Sequence, residues 1–185
     1  MREVVAAGLV RHAGITGLGE ADAVARVIDA GAFATMQAYF NAVNPSMGFP
    51  GAAGGAQDFG GLIDRARDAG LGVLAIRVLA AGALSGSDAR APNASATGGG
   101  ALAGGGDFGS DLARAQRLGE IAADFALEST VELAVRFALA KTGVSTVLVG
   151  YSDLAQLETA LRFAVRGPLS GDAVQRVVAV ATDAN

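Results

Sequence analysis

The chain has 185 residues, 51% of them hydrophobic, and a formal net charge of −4. That length fits a single domain over residues 1–185 with a sizeable core, and the slightly acidic balance lacks the basic stripe that a nucleic-acid partner requires. There is no cysteine and His12 is the one histidine, which excludes a disulfide framework, a thiolate metal site and a histidine zinc cluster, and any Ser–His–acid triad would have to use His12. The longest apolar stretches, such as GLGVLAIRVLAAGAL (70–84), carry an arginine and several glycines and are too short for a membrane span. MREVVAAGLVRHAG at the start has no apolar core followed by a cleavage site. No membrane partner is expected, and a cytoplasmic location is.

Four short runs rich in Val, Ile, Leu or Ala read as buried strands: LVRHAGI (9–15), AFATMQ (32–37), GVLAIRV (72–78) and STVLVG (145–150). Continuous apolar runs of this kind suit a parallel sheet covered on both faces. Helical periodicity follows. EADAVARVIDAG carries Val24, Val27 and Ile28 on one face and Gly31 as a stop, and DFGGLIDRARDAG carries a stripe of Phe59, Leu62, Ile63 and Ala66, with Asp58 as the expected N-cap. Between the third and fourth strands lie DLARAQRLGEIAADFAL and TVELAVRFALAK. In the latter Val131, Ala134, Val135, Ala138 and Leu139 keep the i, i+3, i+4 rule, and Ser129 with Glu132 spells a capping box. DLAQLETALRFAV and PLSGDAVQRVVAVA follow the last strand as helices. The alternation is the signature of a parallel α/β sheet with outer helices. Two long connections, Asn41 to about Gln57 and Ser85 to about Gly109, leave the C-terminal ends of strands, the side on which such folds bind ligands.

Few of these residues carry chemistry by themselves. GITGLG (14–19) joins a strand to a helix, where a glycine turn presents N–H groups to phosphate or serves only as a tight connection. It misses the dinucleotide fingerprint, since aligning Gly17 and Gly19 puts Asp22 at the third glycine. GGGALAGGG lacks the Lys-Ser/Thr of a P-loop. Gln37, at a strand's C-terminal end, is placed either to bond a flat heterocycle or to satisfy loop backbone. Tyr39 and Phe40 read as core. Arg77 interrupts an apolar strand and needs an acid or a phosphate beside it. His12 reads as a hydrogen-bonded structural residue of the first strand. No pair of carboxylates stands out.

Taken in order, LVRHAGITG, ATMQAYFNAVNPS, GVLAIRVLAAGALSG and STVLVGYSDLAQLETAL resemble the fifth to eighth strands of the aldo-keto reductase family with their following loops, over nearly the whole chain. The resemblance implies a partial TIM (β/α)8 barrel and reduction of aldehydes or ketones with NADP(H) or NAD(H). By the same resemblance, Thr16, Gly17 and Gln37 match the group that holds the nicotinamide carboxamide. Ile76 matches an aromatic that stacks on the nicotinamide. Leu79, Gly82, Leu84 and Gly86 match the loop around the pyrophosphate, and Gly150, Tyr151, Ser152 and Gln156 match the segment at the adenosine 2′-phosphate.

The chain departs from the family pattern in several places. Gly17 lacks an Asn side chain, Ile76 lacks a ring, Gln156 stands where many members have Arg, and Thr159 and Ala160 replace a Glu-Asn pair. The resemblance places the family's catalytic Asp, Tyr, Lys and His on the first four strands, which have no counterpart here. No catalytic residue is therefore assigned, and a truncated or split reductase is expected. The alternative is a non-enzymatic half-barrel that completes itself with a missing N-terminal half or by homodimerisation.

Overall fold

The computed structural model describes residues 2–85 and 108–183. Helix α1 (Arg2–Ala6) leads into strand β1 (Gly14–Gly17) and helix α2 (Ala21–Asp29). Strand β2 (Thr35–Tyr39) is followed by helix α3 (Leu62–Asp68), and strand β3 (Gly72–Ile76) by a kinked 3-10 segment, Ala80–Ser85. Helices α4 (Phe108–Asp124) and α5 (Thr130–Ala140) precede strand β4 (Val144–Val147), and α6 (Leu154–Ala164) and α7 (Gly171–Thr182) follow it. The strands form one parallel sheet in chain order, each crossover returning the chain beside the preceding strand.

Register decides which side chains meet. Thr16 pairs with Gln37, Gln37 with Leu74, and Leu74 with Thr146, so these four share a face. Their neighbours Met36, Ala38, Val73 and Ala75 point the other way and are buried in a core shared with Val24, Ile28, Leu62, Ile63, Ala66, Leu133 and Phe137. The expected double coverage is therefore not observed: among the described residues helices cover one face, and the other is partly exposed. At β4 the register slips by one residue. Ser145 is the extra residue, and its Oγ accepts from the N–H of Val73 at 3.2 Å, so the bulge leaves no donor orphaned.

The strands also begin and end elsewhere than their apolar runs suggest. Leu9 and Val10 are exposed; Leu9 closes the turn after α1, where Gly8 takes φ +69° and Leu9 N–H donates to Val4 O, and Val10 follows it outside any strand. His12 consequently sits outside any strand and is exposed. A strand exists only where a neighbour pairs with it, and pairing here starts at Gly14 with Thr35. β3 stops at Ile76 because Arg77 takes φ 59°. Val27 and Leu139 lie outside their helices' buried stripes.

Helix capping follows the expected logic in part. Gly61, not Asp58, is the N-cap of α3; the Asp58 carboxylate accepts instead from Gly51 N–H at 2.9 Å and Gly60 N–H at 2.8 Å. Ser129 caps α5, but Glu132 reaches past it to the N–H of Glu128 at 2.8 Å. The side chain of Glu132 is 1% exposed and also takes Arg136 at 2.7 Å and Arg166 at 2.9 Å. Arg162 and Arg166 meet Glu128 as well, so this cluster ties α5 to α6. Burial pushes the Glu132 carboxyl up, but the Glu128 N–H and the two guanidinium groups more than offset it and hold it below the ordinary range.

Substituting Glu132→Gln is expected to lower stability at pH 7 by about 1.5–3 kcal/mol, the range for a hydrogen bond to a charged group. A carboxyl depressed in the folded state stabilises above its unfolded pKa, about 4.3, and loses that contribution as pH falls through the folded value. Urea melts should therefore separate parent and variant fully above about pH 5 and converge in more acidic buffer.

Candidate functional site

The residues singled out by the sequence gather at the C-terminal edge of the sheet. Thr16, on β1, is exposed; Gln37, next to it on β2, is half-buried. The Thr16 hydroxyl donates to Gln37 Oε1 at 3.3 Å. Among the described residues Gln37 Nε2 donates to none, so the pair offers an amide donor and a hydroxyl on the open face. Ile76 lies on that face one pleat beyond Leu74 and is half-buried. Gly17 faces the helices: a Cβ there would stand 2.8 Å from Met36 Sδ and 3.2 Å from Gln37 O. A larger residue at position 17 has to displace a fully buried methionine.

The loop after β3 has an unusual backbone. Ala80 and Ala81 take φ of 47° and 57°, followed by Gly82 at 99°. A left-handed alanine costs about 1–2 kcal/mol and persists where the surroundings fix it. Ala80, Ala83 and Leu84 are buried, while Leu79 and Gly82 are half-exposed. Gly86 lies outside the described residues. After β4, Gly150 and Tyr151 are exposed. Gln156 is engaged within its own turn. Its Oε1 accepts from Ser152 N–H at 2.8 Å, and its own N–H donates to Asp153 Oδ1 at 2.8 Å. The entrance of α6 is thus filled by a carboxylate, with no cation at position 156.

Four residues outside the predicted set organise this edge. Asn41 Oδ1 accepts from the N–H groups of Val43 at 3.1 Å and Asn44 at 2.9 Å, and its Nδ2 donates to Arg77 O at 3.1 Å. Asn44 Oδ1 accepts from Ser46 Oγ at 2.6 Å, and Ser46 Oγ accepts from Phe59 N–H at 3.0 Å. Gln57 Nε2 then donates to Gly19 O at 2.7 Å, bracing the GITGLG turn. The 41–57 connection is therefore an ordered scaffold, not a structureless loop. Asn and Ser beside a proline are its only sequence signal.

Neither tyrosine joins the open-face pair. Tyr39 is 5% exposed and packs on Phe59. Burial pushes its phenol up, opposed by a hydrogen bond with Asn41 and by the charges of Arg77 and Arg114. Tyr151 is 58% exposed and follows β4, at the opposite edge of the sheet from β1. His12 precedes β1 on the surface. No helix among the described residues is long and apolar enough to cross a membrane.

Known proteins share this architecture. The model of the Aldo/keto reductase family matches residues 1–182. A search of the curated proteins gave no match. Among solved structures, the apo form of aldo-keto reductase AKR11C1 from Bacillus halodurans is 20% identical with a TM-score of 0.66, covering 97% of this chain and 54% of that one. Its holo form is 19% identical with a TM-score of 0.64, covering 97% and 53%. Glycerol dehydrogenase AKR11B4 from Gluconobacter oxydans is 17% identical with a TM-score of 0.66, covering 98% and 52%. The chain thus spans about half the length of these structures, and its four parallel strands with outer helices are part of a (β/α)8 barrel.

Replacing Ala81, a half-buried left-handed residue, by Gly is expected to raise stability by about 1 kcal/mol. A chemical melt that shows A81G weaker than the parent would contradict the strain assigned to this loop.

Proposed function

This chain belongs to the aldo/keto reductase family, and on that premise we propose that residues 1–185 form a single domain, barrel strands five to eight, that binds a nicotinamide dinucleotide along the C-terminal edge of the sheet. The observation that carries this reading is the Thr16–Gln37 pair, 3.3 Å apart on the face that no helix among the described residues covers. A carboxamide presents one acceptor and two donors, and a hydroxyl beside an amide complements both. Ile76 gives the ring an apolar wall without stacking, and Gly17 contributes no side chain. The loop that starts at Leu79, Gly82 and Leu84 and continues to Gly86 flanks the pyrophosphate, and Gly150, Tyr151, Ser152 and Gln156 flank the adenosine.

The residues present do not fit a 2′-phosphate. Asp153 lies at the entrance of α6 and Gln156 is engaged with Ser152, so an added phosphate meets a carboxylate and no guanidinium. NAD(H) is therefore bound at least as well as NADP(H).

When bound, the reduced nicotinamide supplies hydride to a carbonyl carbon. The resulting alkoxide needs a proton, and a positioned general acid contributes about 10²–10⁴-fold. Tyr39 is buried and Tyr151 lies at the far edge of the sheet. Carbonyl reduction accordingly needs a donor from polypeptide outside these four strands.

A second reading rests on the sheet's edges. β1 and β4 each have one unpaired side among the described residues. Exposed apolar groups flank both, Val4, Val5, Leu9 and Val10 on one side and Leu148, Tyr151 and Leu154 on the other. Such edges recruit further strands, from a missing N-terminal half or from a second copy that closes a non-enzymatic barrel.

Fluorescence titration with NADH and NADPH tests the first reading. Saturable binding of both, no preference for NADPH, a loss of about threefold to tenfold in Gln37→Ala and no turnover across a panel of aldehydes are expected. No binding by the parent, or turnover that survives loss of Tyr39 and Tyr151, contradicts it. Light scattering at roughly tens of micromolar should show self-association, because exposed edges and apolar patches drive it. A monodisperse monomer removes the second reading.

A further inference from the structure

The loop leaving β3 adopts a backbone that its residues disfavour. Arg77, Ala80 and Ala81 all lie at positive φ, 59°, 47° and 57°, and segments of this kind persist only where neighbours hold them. Among the described residues, Asn41 and Thr130 do so from distant parts of the chain. Asn41 Nδ2 bonds Arg77 O at the loop's start, and Thr130 Oγ1 donates to Leu84 O at 2.7 Å at its end, across 46 positions of sequence. Thr130 is the first residue of α5, where a hydroxyl is not required for capping. Ser129 already caps the helix by accepting from Glu132 N–H at 3.3 Å. The hydroxyl of Thr130 therefore serves the loop rather than its own helix.

We propose that Thr130 is a positioning residue for the dinucleotide. By fixing the Leu84 carbonyl it closes the 79–84 turn, whose Gly82 and Leu84 N–H groups already donate to Leu79 O, and holds the rim of that turn against the pyrophosphate. It touches no cofactor itself. The role rests on the dinucleotide reading given above, and it adds a residue from a helix that the resemblance leaves without function. Ala80, Ala83 and Leu84 are buried beneath the turn, so the loop's base is packed while its rim, Leu79 and Gly82, stays accessible. The Thr130 bond fixes the end of a strained turn whose interior is set by its own backbone bonds, Ala80 N–H to Arg77 O and Gly82 and Leu84 N–H to Leu79 O.

Two variants of the full 185-residue chain test this. Thr130→Val keeps the shape and removes the donor; Thr130→Ser keeps the donor. T130V should weaken NADH binding by at most about threefold to tenfold, because the lost bond lowers the population of the binding-competent turn. It should also speed amide exchange at Gly82 to Ser85 and lower the melting temperature slightly, as the Leu84 carbonyl loses its donor. T130S should bind within about twofold of the parent, since the bond is retained. Unaltered exchange in T130V overturns the anchoring whatever the parent binds. Equal NADH affinity in T130V and parent overturns the positioning role. A T130V that melts much lower, with a T130S that fails to restore binding, marks a merely structural residue and also overturns it. A parent that binds no NADH overturns the dinucleotide reading and this role with it, and the exchange data show separately whether the anchor exists.

Discussion

Side chains on a strand alternate between faces, so a parallel ladder with fixed register assigns every residue a side. In this protein that constraint does most of the organising. The pairings Thr16–Gln37, Gln37–Leu74 and Leu74–Thr146 place the polar and half-exposed set on one face. Met36, Ala38, Val73 and Ala75 are thereby committed to the helices. Shifting β2 by one residue would bury Gln37 among Ile63 and Phe137 and expose Met36. The one irregularity, at Ser145, is confined to an edge strand and satisfied by that residue's own hydroxyl.

On this sheet the polar scaffold of 41–57 does what a helix dipole or metal does elsewhere: it fixes loops. Asn41 joins the end of β2 to the exit of β3, and Gln57 joins the same scaffold to the turn after β1. Three successive strand ends are thereby held relative to one another by part-buried hydrogen bonds, which are costly to leave unmade. Aromatic packing supports the arrangement from below, with Phe40 and Phe137 stacked at 5.2 Å between centroids. The candidate site is consequently positioned by residues with no chemistry of their own.

Much of the fold was legible because periodicity reports burial. Val24, Ile28, Leu62, Ile63, Ala66, Ala134 and Ala138 all lie where their spacing puts them, and the alternation of strand and helix implies the chain-order sheet. Strand ends were less legible, since they depend on a partner: Leu9 looks like a strand residue and instead closes a helical turn. Capping partners were legible as residue types, but not as choices. Glu132 and Gln156 each reach the residue before the N-cap rather than the cap itself. In the candidate site, Thr16 and Gln37 were found through a resemblance, and their contact is local to one ladder rung. The left-handed backbone at Ala80 and Ala81 had no signal, because alanine announces a helix, not a turn. Thr130 was equally silent, since its partner lies 46 positions away.

The central claim is that the open face of the sheet at its C-terminal edge, and not the helix-packed side, receives the nicotinamide. The most direct measurement is an NMR titration of the labelled chain with NADH, following backbone amides and the Gln37 side-chain amide. The largest shifts are expected at Thr16, Gln37 and Ile76 and along Leu79 to Leu84. Shifts concentrated instead around the surface groove of Phe49, Thr142, Leu169 and Val174, with Gln37 unmoved, would contradict it.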